Sequence, residues 1–266
     1  VFKNKISDKN KRVNPEMDIT LAREMKQARN IQMKLLNATK PEIGNADISG
    51  VSIPARLIGG DYFDFQTLPN GKLRIIIGDV MGKGIPAAML MILTRGAFRS
   101  SLEFKATPSE TLEVMNRSMY NDLKTLGSFV TLLCADWDPD TNALTYSSAG
   151  HNLPIIVNKK SKERELVKQS GVMIGGLADS RYIDQTITLS HQDMVFFYTD
   201  GIIEAQDQHG NLFRLPRLVE LLKTLHHFKT NEIEYSIKEE IDSFTNGIMQ
   251  KDDITMLILK VNENDK

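Results

Sequence analysis

The feature that most limits how this sequence can fold is a repeated junction between an apolar run and aspartate. "LRIIIGDVMGKG" (73–84) runs through aliphatic residues into Gly78 and Asp79. "MVFFYTDG" (194–201) ends on Asp200 with Gly201 behind it. "KDDITMLILKV" (251–261) inverts the order, with Asp252 and Asp253 ahead of the run. "GGDYFDF" (59–65) sets Asp61 and Asp64 beside another. Aspartate is a poor strand former. It is also costly to bury unless paired, hydrogen-bonded or bound to a cation. A single such aspartate reads equally well as a turn or cap residue. Four acidic junctions far apart in sequence are instead expected to converge at one edge of a sheet. Hard divalent cations, Mg²⁺ or Mn²⁺, suit such oxygen donors. Gly78 and Gly82 let backbone approach a ligand, and Lys83 brings a positive charge close by. The five histidines are scattered, so no zinc cluster is expected.

The remaining pattern is strand-rich. Strands are expected at 48–55, 62–68 and 72–80, the last two joined by the turn "LPNG". Helices follow at 85–104, with Pro86 in the first turn, and at 108–125, opened by the capping pattern "TPSE". Further strands fall in "SFVTLLCADWD", "NALTYSSAG", "LPIIV", "QTITL" and "DMVFFYT". Helices at about 216–226 and 231–247 precede the closing strand "ITMLILKV". Strands and helices do not alternate one for one, which argues against a doubly wound parallel sheet. A mostly antiparallel sheet or sandwich with helices packed on it fits.

Residues 1–14 are polar, Lys/Asn-rich and without periodicity, and read as a disordered linker. The chain starts on Val1, which fits a fragment with an upstream domain. From Pro15 to about Asn37 a helix is expected. Leu21, Met25, Ala28, Gln32 and Leu35 follow alternating four- and three-residue spacings, a short heptad seam with one polar member. It is either a helix of the same core or a dimerising, signal-relaying helix.

Hydrophobic residues make up 41% and charged residues 25%, so a soluble globular domain is expected. The net charge of -1 leaves no footprint for nucleic acid. No apolar run approaches the roughly 20 residues of a membrane helix, so no membrane insertion is expected. The one cysteine, Cys134, fits a reducing, cytoplasmic compartment and reads as a small buried hydrophobe.

Five segments, "GGDYFDF", "GDVMGKGIPAAML", "SAGHNLP", "YTDGIIEA" and "DDITMLIL", occur in the order seen in metal-dependent (type 2C, PPM) protein phosphatases. The chain most resembles their bacterial SpoIIE/RsbU-type branch. The resemblance covers about residues 45–262 and reaches into the preceding helix. It implies an α+β fold, a two-layer antiparallel β-sandwich flanked by helices, with two Mn²⁺ or Mg²⁺ ions at one end. By motif position it implies that Asp79 bridges both ions and that the Val80 carbonyl helps hold one. Asp200 and Asp252 would bind the other, and Asp61 would act directly or through a water. Asp253 stands where many relatives carry Asn and is expected behind the ligands. Arg56, five positions before Asp61, is either a phosphate contact, as is Lys83, or a solvated arginine. His151 stands about where relatives carry an Asp that serves a third metal, so a third metal is not expected. It is either a structural hydrogen-bonding residue near the site or a proton-handling group.

The resemblance implies hydrolysis of phosphoserine or phosphothreonine in a protein, without a covalent intermediate. The branch's usual substrate is a phosphorylated STAS-domain anti-sigma-factor antagonist, whose dephosphorylation frees a sigma factor. A catalytically silent binding module on the same fold is the alternative. The expected organisation is a linker (1–14), a regulatory or dimerising helix (15–44) answering to an upstream sensor or activating protein, the phosphatase domain (45–262) and a tail (263–266).

Overall fold

Two antiparallel sheets face each other, and each carries a helical pair on its outer side. The computed structural model describes residues 15–36, 40–41, 43–103, 106–164, 166 and 171–262. The expected linker (1–14) and tail (263–266) lie outside the described residues. The first half contains α1 (Pro15–Leu36), β1 (Ala46–Ile53), β2 (Tyr62–Thr67), β3 (Leu73–Val80), α2 (Ile85–Ser101), α3 (Pro108–Leu126), β4 (Val130–Asp138) and β5 (Ala143–Ala149). The second contains β6 (Ile155–Val157), β7 (Glu163–Arg164), β8 (Gln185–Thr188), β9 (Met194–Tyr198), α4 (Leu215–Leu225), α5 (Thr230–Thr245) and β10 (Ile254–Val261). One sheet has the order β1-β10-β9-β6-β7, the other β2-β3-β4-β5-β8. The sandwich expected from the sequence is the one observed. No helix among the described residues is long and apolar enough to cross a membrane.

Strand alternation explains the layers. In β3, Leu73, Ile75 and Ile77 point between the sheets, where Phe63, Trp137, Phe197 and Leu257 meet them. Ile76 and Val80 point the other way, onto Met91, Phe98 and Met115 of α2 and α3. In β10, Met256 and Ile258 lie under Leu218, Ile233 and Ile237 of α4 and α5. Both faces of both sheets are therefore buried, so these antiparallel strands read as continuous apolar runs. Each large apolar side chain so buried contributes about 1.5–3 kcal/mol.

Local signals set the helix ends. Thr107 and Glu110 form a reciprocal capping box at the start of α3, and Gly127 closes that helix in the left-handed region at φ 61. Arg74 is fully buried in β3. It grips Asp136 of β4 through Nε and a terminal nitrogen, each at 2.7 Å, and donates to Thr111 and the Ala106 carbonyl, tying α3 to the sheet. Cys134 is buried in β4, and burial pushes its thiol well up, as befits an inert core residue.

The contacts that dock the helix α1 lie toward its C-terminal end. Gln32 is buried, and its amide donates to the Gly59 carbonyl at 2.7 Å and accepts from the Gly59 N–H at 3.1 Å. Arg95 donates to the Leu35 carbonyl, and Leu36 is buried against α2 and β2 residues. Ile19, Leu21 and Ile31 remain exposed. The polar member of the heptad seam thus serves a contact within the chain.

Candidate metal centre

Strand register brings the acidic junctions to one end of the crevice between the sheets. Tyr62 pairs with Gly78, so Asp61 continues beside Asp79 at the ends of β2 and β3. Gly78 has no room for a side chain: a Cβ there would lie 2.3 Å from the Thr131 carbonyl. On the other sheet Met256 pairs with Tyr198, and the Thr199 N–H donates to the Thr255 carbonyl at 3.0 Å. That pairing sets Asp200 beside the start of β10, where Asp252 and Asp253 precede Ile254. The two chain segments meet closely, since a Cβ on Gly201 would lie 1.9 Å from the Asp253 carbonyl oxygen. Only glycine permits that approach.

The carboxylates differ sharply in environment. Asp61 is buried and accepts from the Thr199 hydroxyl at 2.8 Å. Burial, and then the charge of Asp79, push its carboxyl well above the usual range. Burial and the charges of Asp200, Asp252 and Asp253 push Asp79 up to about 7. Burial and Asp252 also raise Asp200. These groups repel one another across a cleft of about 300 Å³ that Asp79, Gly82, Thr131, His151, Asn152 and Asp200 line. The Val80 carbonyl lies against Gly60, next to Asp61, where a Cβ would approach it to 3.1 Å.

Asp253 has a different task. Its two oxygens accept from the Ala55 N–H at 2.7 Å and the Gly60 N–H at 2.6 Å, fixing the segment that delivers Asp61. Asp64 does not join the cluster, contrary to the expectation for "GGDYFDF". Strand alternation turns it to the opposite face, where Arg99 of α2 clamps both its oxygens at 2.7 Å and the Tyr62 hydroxyl donates to it.

Lys83 meets Asp252 Oδ2 at 2.7 Å and the Lys251 carbonyl at 2.5 Å. Arg56 is exposed, and its guanidinium lies over Gly84, 3.5 Å from where a Cβ would stand. His151 Nδ1 lies 2.9 Å from the Thr131 hydroxyl, and Ser148 brackets the His151 backbone. Its Nε2 is buried without a well-formed hydrogen bond; the Tyr198 carbonyl beside it only partly offsets the burial that pushes the ring down to about 4. The ring lines the same cleft as Asp79 and Asp200.

Thr199, Thr131 and Gln32 were not legible as site residues. Thr199 precedes Asp200 at an inward register position, which is the one signal that pointed to it. Among the described residues no group of three or more acidic, histidine or cysteine side chains is arranged, as they lie, to hold a metal ion. The donor set nevertheless fits hard divalent cations: all oxygens, mutually repelling, and offset at hydrogen-bond distance by Lys83.

The helix-flanked antiparallel sandwich is the fold of solved PP2C-type phosphatase domains. The SiaA-PP2C domain of Pseudomonas aeruginosa superposes with a TM-score of 0.80 at 20% identity, over 92% of this chain and 99% of that one. RsbX in complex with magnesium superposes at 0.63 with 17% identity, over 84% and 99%. The chain belongs to the Stage II sporulation protein E (SpoIIE) family, whose profile matches residues 69–262. It is 29% identical over 239 residues to the phosphoserine phosphatase RsbU of Bacillus subtilis, covering 89% of this chain and 70% of that relative.

Proposed function

We propose that the chain is a protein serine/threonine phosphatase that depends on two Mn²⁺ or Mg²⁺ ions. The observation that carries this reading is the convergence of Asp61, Asp79, Asp200 and Asp252 at one crevice mouth, set by strand register. Asp79 would bridge the ions with help from the Val80 carbonyl, and Asp200 and Asp252 would hold one of them. Ions bound there supply an acidified water and neutralise phosphate charge. Thr199 and Asp253 hold Asp61 in place, Gln32 steadies Gly59 behind it, and Arg56 would meet the phosphate. No serine, cysteine or histidine nucleophile is then required. Magnesium in RsbX and the phosphoserine activity named for RsbU support the assignment.

The substrate we propose is a phosphorylated STAS-domain anti-sigma-factor antagonist in the cytoplasm, so that the enzyme releases a sigma factor by partner switching. Likeness to RsbU supports this. Incubating the full chain with such a phosphoprotein across a Mn²⁺ series tests it. Metal-dependent loss of phosphate is expected. No turnover at any Mn²⁺ concentration overturns the enzyme reading in favour of a silent binding module.

Residues 45–262 form the catalytic unit in this reading, and residues 15–44 a regulatory helix. The exposed Ile19, Leu21 and Ile31 on α1 support a homodimer through that helix, biased by an activating protein or upstream sensor. Deleting residues 1–30, which spares Gln32 and Leu36, is expected to yield a monomer by light scattering. An unchanged oligomeric state overturns the dimer.

A further inference from the structure

The contact between Lys83 and Asp252 has a consequence for how the centre loads. Asp252 is held by a cation of the chain itself: the Lys83 ammonium is 2.7 Å from Oδ2. The same ammonium donates to the Lys251 carbonyl at 2.5 Å. Its charge also offsets Asp200 and Glu204, both raised by burial and by neighbouring carboxylates. The neighbouring Lys251 turns away, to Gln206. The pair sits at the rim of a cavity of about 480 Å³, with side-chain exposures of 36% and 27%, so water can replace it cheaply.

Lys83 is also placed to leave. It lies between Gly82 (φ 100) and Gly84 (φ 73), two left-handed positions, and nothing stands within 4 Å of where a Cβ on Gly82 would be. A divalent ion on Asp252 and an ammonium on the same carboxylate repel at this range. Each therefore weakens the other's hold on it.

We infer that Lys83 is a built-in competitor for the cation position formed by Asp200 and Asp252, and so sets the metal concentration at which that position fills. This rests on the metal-centre reading. Without a divalent ion, the ammonium neutralises Asp252. When an ion binds, Lys83 is released on its glycine-flanked loop, beside Arg56 over Gly84.

Calorimetric titration of Mn²⁺ into the full-length chain and its Lys83→Met variant tests this, with thermal melts in EDTA and in saturating Mn²⁺. Lys83→Met is expected to tighten the weaker Mn²⁺ step about fivefold, the size expected for a partly exposed ion pair. It is also expected to melt earlier in EDTA, and to melt with the wild type in saturating Mn²⁺. Should that variant fold poorly, Lys83→Gln carries the same test. Wild-type binding with unchanged or weaker binding by the variant overturns the competitor role and leaves the metal centre standing. A wild-type chain that binds no Mn²⁺ overturns both.

Discussion

The protein buries carboxylates in two opposite ways within one sheet. Asp136 and Asp64 are each gripped at both oxygens by an arginine, Arg74 and Arg99 respectively. Asp61, just ahead of β2, and Asp79, near the end of β3 in the same sheet, have no such clamp and face other carboxylates. The first arrangement is complete as it stands and joins the helices α2 and α3 to the sheet. The second is destabilising as it stands and becomes favourable only when positive charge arrives. Paired burial marks the scaffold here, and unpaired burial marks the site.

The largest expected effect separates these two sets. Asp79→Asn removes a repelling charge, so phosphatase turnover should fall by about 10³-fold or more while the melting temperature in EDTA stays level or rises. A steady-state assay with parallel calorimetry checks both. Retained activity would dissolve the distinction between site and scaffold.

Arg74→Met should do the reverse. It leaves Asp136 buried without a partner, at a cost of about 3–5 kcal/mol in urea unfolding, and acts on activity only through stability. Arg99→Met should cost less, because a third of that side chain is already in water. Equal losses would mean that burial does not rank the two clamps.

His151 sharpens the comparison by pH. Its folded value of about 4 lies below the ordinary 6.5, so the unfolded chain binds the extra proton between them. Stability from this residue is present above pH 6.5 and drains away as pH falls through about 4, by up to about 3 kcal/mol. Asp79 acts with the opposite sign, because its raised value means that ionisation opposes folding. His151→Asn should therefore flatten the acid loss seen in urea titrations. An unaltered acid limb would remove His151 from the account.

The smallest effect is on metal affinity. With Asp79 at about 7, Mn²⁺ must displace a proton at lower pH. Affinity should fall by roughly tenfold for each unit below pH 7. A pH-independent affinity between 5.5 and 7 would show that Asp79 is not a ligand.

Much of this was legible in the sequence where local rules act alone. The aspartates end apolar runs, and the strand ends fix where they go. Pro86 and the capping pattern at Thr107 marked the helices α2 and α3. What stayed hidden depends on partners far away in the chain. Alternation distinguishes Asp61 from Asp64, but only Arg99, 35 residues on, shows where Asp64 goes. Gln32 looked like a coiled-coil seam residue because its partner is the backbone of Gly59, which no side-chain pattern announces. Likewise β7, two exposed residues paired to β6, carries no periodic signal.

The central claim is that the unclamped carboxylates hold divalent ions. Calorimetric titration of Mn²⁺ at pH 7.5, comparing the wild-type chain with Asp79→Asn, tests it most directly. The account predicts saturable binding to the wild type with proton release, and binding at least tenfold weaker in the variant. No binding to the wild type, or equal binding to both, would contradict it.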